Sequence, residues 1–148
     1  LKEINENNFR AVVGMKLNED QNKYVASNVY SLAQAWLYPE KAKPYAIYND
    51  EEAIGFMMLD WDEKERECAI WRFMITSNKQ GKGYGRSALE YVLNLIIQSE
   101  KFDYVFLDYV PDNVVGKHLY ESMGFIETGE IEEGEIVMRL DLTKYVVK

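Results

Sequence analysis

The stretch ITSNKQGKGYGRSALEYVLNLI, residues 75–96, places three glycines at alternate positions just before a run of helical character. Glycine loses more conformational freedom on folding than any other residue, so glycines cluster where the backbone turns sharply or a ligand approaches it closely. Gly81, Gly83 and Gly85 therefore predict a ligand site. The alternative is a flexible loop between two elements, which would need only one glycine.

The segments on either side of the glycines predict a strand, a helix and a second strand. ECAIWRFMIT (67–76) is almost continuously apolar, as expected of a central, doubly covered strand. Leu89, Val92, Leu93 and Ile96 form one apolar helix face. DYVFLDYV (103–110) is the next strand. A strand, helix and strand in this order predict a parallel pair joined by a crossover.

Helices are predicted for most of the first forty residues, in NNFRAVVGMKL (7–17) and DQNKYVASNVYSLAQAWLY (20–38). In the second of these, Val25, Val29, Leu32 and Trp36 follow spacings of three and four, which predicts one apolar face. PYAIYNDEEAIGFMMLDW (44–61) predicts a hairpin around a turn at 49–52.

The C-terminal part predicts a short helix and a second hairpin. NVVGKHLYESMG (113–124) is the helix, with Asn113 as its cap and Gly124 as its end. FIETGEI (125–131) and EIVMRLDL (135–142) are the hairpin strands. The predicted architecture is α/β, with helices packed on a largely antiparallel sheet that contains one parallel pair. A chain of 148 residues predicts a single domain over residues 1–148.

Composition excludes several classes of function. A net charge of −8 with 17 scattered Lys and Arg residues argues against a nucleic-acid partner. A cationic partner is easier to accommodate, but on composition alone an acidic surface that serves only solubility is the simpler interpretation. No apolar run reaches the length of about 20 residues that a bilayer requires, and no signal peptide is evident, which predicts a cytoplasmic protein without a membrane partner. Cys68 and His118 are the only residues of their types, so neither an internal disulfide nor a histidine-based metal cluster is expected.

The glycines fall where backbone N–H groups and the positive end of a helix dipole converge, which predicts an anion site suited to phosphate. Two common phosphate motifs do not fit. A G-x-G-x-x-G motif starting at Gly81 would need glycine at Arg86, and the stretch lacks the Gly-Lys-Ser/Thr of a P-loop.

The segment from Gln80 to Gly85, QGKGYG, resembles the Q/R-x-x-G-x-G/A signature of the GNAT superfamily of acetyl-CoA-dependent N-acetyltransferases. NVVGKHLYESMGF also resembles the second landmark of that superfamily, an Asn followed seven residues later by Tyr. The order of the predicted elements matches the whole GNAT fold. Within the superfamily, SLAQAW, PYAIY, IGFMM and RFMI are similar to segments of bacterial spermine/spermidine acetyltransferases.

The resemblance implies that two parallel strands, ending near Ile75 and Asp108, splay apart to admit the pantetheine arm of acetyl-CoA. The pyrophosphate would rest on the glycine turn, with positive charge from Lys82 and Arg86 beside it. The residues implied in cofactor binding are Phe73, Met74, Ile75, Gln80, Gly81, Lys82, Gly83, Tyr84, Gly85, Arg86 and Asn113.

Acetyl transfer from a thioester to an amine needs a neutral amine, a polarised carbonyl and a proton for the leaving thiolate. Tyr120 matches the proton donor of the family, and the backbone N–H of Met74 is a candidate to polarise the carbonyl. Glu67, predicted on the same side of its strand as Trp71 and Phe73, and Asp108 are both candidates for the base. The alternative for each of these two is a solvated carboxylate at a strand end, and the alternative for Tyr120 is a tyrosine that packs the short helix against the sheet.

The predicted acceptor is a small polyamine such as spermidine or spermine. Glu51, Glu52, Asp60, Asp62 and Asp108 are expected to form an acidic rim around it. An acetyltransferase acting on protein amines and a non-catalytic acyl-CoA sensor remain alternatives, and a homodimer is compatible with the sequence.

Overall fold

The computed structural model describes residues 1–16 and 27–144. Seven strands form one sheet in the order β1-β2-β3-β4-β5-β7-β6. The strands are β1 (Lys2–Glu3), β2 (Ala42–Asn49), β3 (Glu52–Asp62), β4 (Glu67–Ile75), β5 (Tyr104–Tyr109), β6 (Ile126–Glu132) and β7 (Glu135–Asp141). The helices are α1 (Phe9–Val13), α2 (Asn28–Leu37), α3 (Tyr84–Ser99) and α4 (Val114–Ser122).

The mixed sheet predicted from the sequence is confirmed. β4 lies at its centre and pairs in parallel with β5, while the other neighbouring strands pair antiparallel. α3 and α4 pack on one face of the sheet, and α1 and α2 pack on the other. Among the described residues, no helix is both long enough and apolar enough to span a bilayer.

The glycine turn leads into the helix that the apolar spacing predicts. Leu89, Val92, Leu93 and Ile96 of α3 are buried against the sheet. α4 also begins as predicted, since Asn113 Oδ1 accepts a hydrogen bond from the Gly116 N–H at 3.0 Å. Both hairpins form, with the first turn at Asp50 and Glu51.

Among the described residues of the first forty, fewer are helical than predicted, and residues 17–26 of the two predicted helices lie outside the described part of the chain. Their first element is β1, which pairs with Tyr45 and Ala46 of β2, and α1 covers only Phe9–Val13. Lys2 and Glu3 are exposed and carry no apolar pattern, so this strand is set by its neighbour β2.

The predicted apolar face of α2 is wrong at Val29 and Trp36, whereas Leu32 of the same predicted face does pack against the core. Val29 is 59 % exposed and Trp36 is 84 % exposed, while Val25 lies outside the described residues. The buried positions of α2 are Asn28 and Ser31. Hydrogen bonds make this burial possible: Asn28 Nδ2 donates to the Val12 carbonyl of α1 at 2.8 Å and Ser31 Oγ donates to the Ser27 carbonyl at 3.0 Å.

A β-bulge interrupts the alternation of β4. Met58 pairs with Arg72 and Leu59 with Ile70, so Trp71 is the extra residue without a partner in β3. A bulge reverses the side on which later residues face. Phe73 therefore packs with the α3 face of the sheet, together with Ile70, and the prediction that it shares a side with Glu67 is wrong.

Candidate active site

A gap opens between the two parallel strands at the centre of the sheet. β4 and β5 pair from Glu67 and Tyr104 up to Ile70 and Leu107. Beyond that point β4 continues to Ile75 along β3, and β5 continues to Tyr109 along β7. Beyond the last parallel pair, β4 is thus bonded only to β3 and β5 only to β7. Backbone N–H and C=O groups without a strand partner therefore line the gap between them.

Backbone alternation decides which amides of β4 face this gap. The Thr76 N–H donates to Ile54 of β3 at 2.8 Å. Because amides alternate along a strand, the Met74 N–H also faces β3, and the N–H groups of Phe73 and Ile75 face β5. The N–H groups available to a ligand in the gap are therefore those of Phe73 and Ile75. The Met74 N–H, which the sequence suggested, faces β3 instead.

The glycine turn lies at the C-terminal end of β4. Gly81 and Gly83 have φ angles of 76° and 83°, the left-handed region that favours glycine. A Cβ built on either one meets nothing within 4 Å, so open space lies in front of the turn. Gly83 is the N-cap of α3, and Gln80 Nε2 donates to the Ile75 carbonyl at 2.8 Å, which ties the turn to β4.

The turn has the features of an anion site. Lys82 and Arg86 are exposed, and neither takes part in an ion pair among the described residues. α3 is a helix of 16 residues without an acidic residue in its first turn, so its N-terminal N–H groups and dipole favour negative charge. Tyr84 Oη accepts a hydrogen bond from Asn49 Nδ2 at 3.1 Å, and Gly85 lies beside the Phe73 ring.

Tyr120 of α4 lies beside the end of β5. Its ring centroid is 6.4 Å from that of Tyr109 and 6.3 Å from that of Phe125. Burial raises the pKa of Tyr120 to about 12. The hydroxyl therefore keeps its proton at neutral pH, as a hydrogen-bond donor requires.

A cavity of ≈ 1410 Å³ contains the open ends of β4 and β5, and Phe73, Asp108, Asn113 and Tyr120 all line it. Its other notable feature is charge. Among the described residues that line it, eight are acidic, a set called here the acidic lining: Asp60, Asp62, Glu67, Asp108, Glu130, Glu132, Glu133 and Glu135. Arg72 is the one Lys or Arg residue in the same set.

Asp108 lies at the open end of β5, and its side chain faces the opposite side of the strand from Tyr109, which contacts Tyr120. Desolvation raises the pKa of Asp108 to about 6, and the nearby charges of Glu132 and Glu135 add to this effect. A base that titrates just below neutral pH is suited to accept a proton.

Glu67 lies in the same cavity but far from Tyr120. It is an exposed residue at the start of β4, and Phe73 is six positions further along, a distance of about 20 Å in a strand. The structure therefore brings Asp108, rather than Glu67, to the open end of the gap.

The β6–β7 hairpin contributes glutamates that the sequence analysis missed. Thr128, Gly129 and Glu130 bulge out opposite Val137, with Gly129 at a φ of 89°, and Glu130, Glu132, Glu133 and Glu135 line the cavity. The acid-rich run EIEEGEI (130–136) around a turn was the available signal. Conversely, Glu51 and Glu52 do not line the cavity, and Glu52 pairs with Lys79 at 3.1 Å.

The amino-acid sequence of this chain is similar to those of known acetyltransferases. The sequence profile of the acetyltransferase (GNAT) family matches residues 8–125. The spermine/spermidine N(1)-acetyltransferase of Bacillus subtilis (strain 168) is 27 % identical over 149 residues, which cover 96 % of this chain and 97 % of that protein.

Solved structures share the fold at lower identity. The spermidine N-acetyltransferase of Vibrio cholerae in complex with CoA and spermine superposes with a TM-score of 0.77 at 19 % identity, covering 97 % of this chain and 95 % of that one. The ribosomal-protein-S18-alanine N-acetyltransferase of Escherichia coli gives a TM-score of 0.73 at 17 % identity, covering 95 % and 92 %.

Proposed function

Because the chain belongs to the acetyltransferase (GNAT) family, we propose that this N-acetyltransferase moves the acetyl group of acetyl-CoA to a primary amine of a small polycation, represented by spermine and spermidine. The observation that carries the choice of acceptor is the acidic lining of the cavity. The similarity to the Bacillus subtilis enzyme over nearly the whole chain supports the same class of acceptor.

The cofactor half of the site follows from the gap and the glycine turn. The pantetheine arm enters between β4 and β5 and bonds to the inward amides of Phe73 and Ile75. The pyrophosphate rests on the N–H groups from Gln80 to Gly85, with Lys82 and Arg86 supplying charge. The side-chain oxygen Oδ1 of Asn113 accepts the capping hydrogen bond of α4. The side-chain NH₂ group of Asn113 is therefore the part that contacts the cofactor.

The chemistry is a direct attack within a ternary complex. The neutral amine nitrogen attacks the thioester carbonyl carbon, the C–S bond breaks, and the nitrogen loses one proton while the sulfur gains one. An inward amide of β4 stabilises the developing oxyanion, and Asp108 accepts the nitrogen's proton through water.

Tyr120 donates its O–H to the departing sulfur. Its pKa of about 12 lies well above that of a thiol, about 8.5, so full transfer of its proton is uphill. Stabilisation of the sulfur by hydrogen bonding is therefore the larger part of its role. The proton that Asp108 has taken from the nitrogen then passes through water to the sulfur, which completes the thiol and restores the carboxylate.

The acidic lining favours an acceptor with several positive charges. Burial raises the pKa of Asp60 and of Glu135, while Lys41 and Arg72 respectively lower it, so further cationic partners would favour the ionised form of both carboxylates. A polyamine supplies those partners, since its distal ammonium groups bind the carboxylates while one nitrogen reacts. A field of one sign also raises the local concentration of the diffusing cation.

Thiol release from acetyl-CoA, measured with spermine, spermidine, a monoamine and a lysine peptide, tests this assignment. We expect kcat/KM for spermine to fall steeply as the Debye length shrinks from about 30 Å at 0.01 M salt to about 8 Å at 0.15 M. The monoamine should respond much less. Efficient acetylation of the peptide without polyamine turnover would favour the protein-directed alternative, and acetyl-CoA binding without any turnover would favour a sensor.

A further inference from the structure

Arg72 stands out as the one basic residue among the described residues that line the acidic cavity. It directly follows the bulged residue Trp71 on β4. Its Nη2 donates to Gln34 Oε1 of α2 at 2.8 Å and its Nη1 to the Trp71 carbonyl at 2.9 Å. Its guanidinium lies 5.4 Å from the centre of the Trp71 ring.

Every one of these contacts is with a neutral group. Among the described residues no carboxylate lies within ion-pair distance of Arg72, despite eight acidic side chains in the same cavity. Burial lowers the pKa of Arg72, with Glu135 and Tyr30 acting in the opposite direction, but an arginine keeps its charge in proteins. The bulge and Gln34 thus hold a positive charge that makes no direct ion pair at a fixed place in the cavity.

The proposed reaction sets two opposite demands on a polyamine. Its distal nitrogens must be charged in order to bind carboxylates, whereas the reacting nitrogen must be uncharged in order to attack. Carboxylates alone favour the charged form of every nitrogen, including the one that must lose its proton. Besides Arg72, the titratable groups that border the cavity are the eight carboxylates of the acidic lining, on β3, β4, β5, β6, β7 and the β6–β7 turn, and the phenols of Tyr30 (α2), Tyr109 (β5) and Tyr120 (α4).

We propose that Arg72 determines which nitrogen of the acceptor reacts, because its fixed charge favours the uncharged form of the nitrogen beside the β4 bulge while the acidic lining holds the others as ammonium. This inference rests on the proposed function and adds a selection step to it. Arg72 acts by its field and by repelling ammonium, so the substrate binds in the register that places its charged nitrogens away from the bulge.

Arg72→Gln removes the charge and keeps a polar side chain. A unit charge about 12 Å away alters a pKa by about one unit at an effective dielectric constant of about 20. We therefore expect the rise of kcat for spermine with pH to move about one unit to higher pH, with kcat about tenfold lower at pH 7. KM for spermine should stay equal or fall, since a repulsive cation has been removed.

Two variants serve as controls. Arg72→Lys keeps the charge but not the planar contacts to Gln34 and Trp71, so its kcat profile should stay within about half a pH unit of the wild type. Arg139→Gln makes the same change in net charge at another arginine packed on an aromatic ring, 4.8 Å from the centre of Tyr104, that does not line the cavity. Its profile should not move.

Thermal melting and CoA affinity establish that each variant is folded. A shifted profile for Arg72→Gln alone supports the inference. If the kcat–pH profile of Arg72→Gln is unshifted, or if Arg72→Lys shifts equally, Arg72 only supports the bulge. Either result overturns the inference and leaves the proposed polyamine activity in place. If the wild type acetylates no amine, the proposed function fails and the inference falls with it.

Discussion

Replacing Gly83 with alanine tests whether the glycine turn binds the pyrophosphate. Gly83 has a φ of 83° and open space in front of it. The methyl group would enter the volume assigned to the phosphate oxygens. Gly134, in the β6–β7 turn, is a matched control because it has a φ of 82° and equally open space but lies away from the glycine turn.

The two substitutions should differ in binding but not in stability. Alanine in the left-handed region costs about 1–2 kcal/mol, which lowers Tm by about 2–8 °C for a chain of this size. Both variants should show this loss. A charge-assisted hydrogen bond is worth about 1.5–3 kcal/mol, so loss of one bond to the pyrophosphate should raise the Kd for CoA about 10- to 150-fold in Gly83→Ala alone.

Isothermal titration with CoA and, separately, with pantetheine on the folded variants measures the effect. Pantetheine lacks the pyrophosphate, so its affinity should be the same in the wild type and in Gly83→Ala. If Gly83→Ala binds CoA as tightly as Gly134→Ala does, the assignment of the phosphates to this turn is refuted.

Two further predictions concern the reaction itself. Tyr120→Phe keeps the ring contacts and removes the hydroxyl, so turnover should fall about 10²- to 10⁴-fold with unchanged CoA affinity; a variant that retains most of its kcat would assign Tyr120 to packing alone. Because the pKa of Asp108 is raised to about 6, a base at this position is active in its ionised form, and kcat/KM should decline as pH falls through about 6. Asp108→Asn should be slow throughout and lack this acidic limb, whereas an unchanged limb would exclude Asp108 as the base.

The parts of the fold that the sequence predicted are those set by neighbouring residues. α3 follows from the spacing of four apolar residues, α4 from its Asn113 cap and Gly124, and the hairpins from polar turns between apolar runs. The glycine turn was also visible, because a left-handed φ is a local property that glycine adopts readily.

The errors occurred where local pattern gave no unique answer. α2 carries apolar residues on more than one side, so its sequence does not decide which side packs on the sheet. The side that packs contains Asn28, whose side-chain amide donates a hydrogen bond to the Val12 carbonyl. The bulge at Trp71 has no signature in an apolar run, yet it changed which residues of β4 share a side. The identity of the free amides, Phe73 and Ile75 in place of Met74, depended on the register with β3.

The sequence by itself determined the family, the order of the elements from β2 onward and the glycine turn, since these are encoded in short contiguous segments. The tertiary structure decided which carboxylates share one cavity, because the acidic lining comes from five separate strands and the turn between two of them. It also decided that Arg72 is held by Gln34 and Trp71 rather than by a carboxylate. Charges far apart in sequence interact only through their distances in space, and those distances are fixed by strand order, register and the bulge.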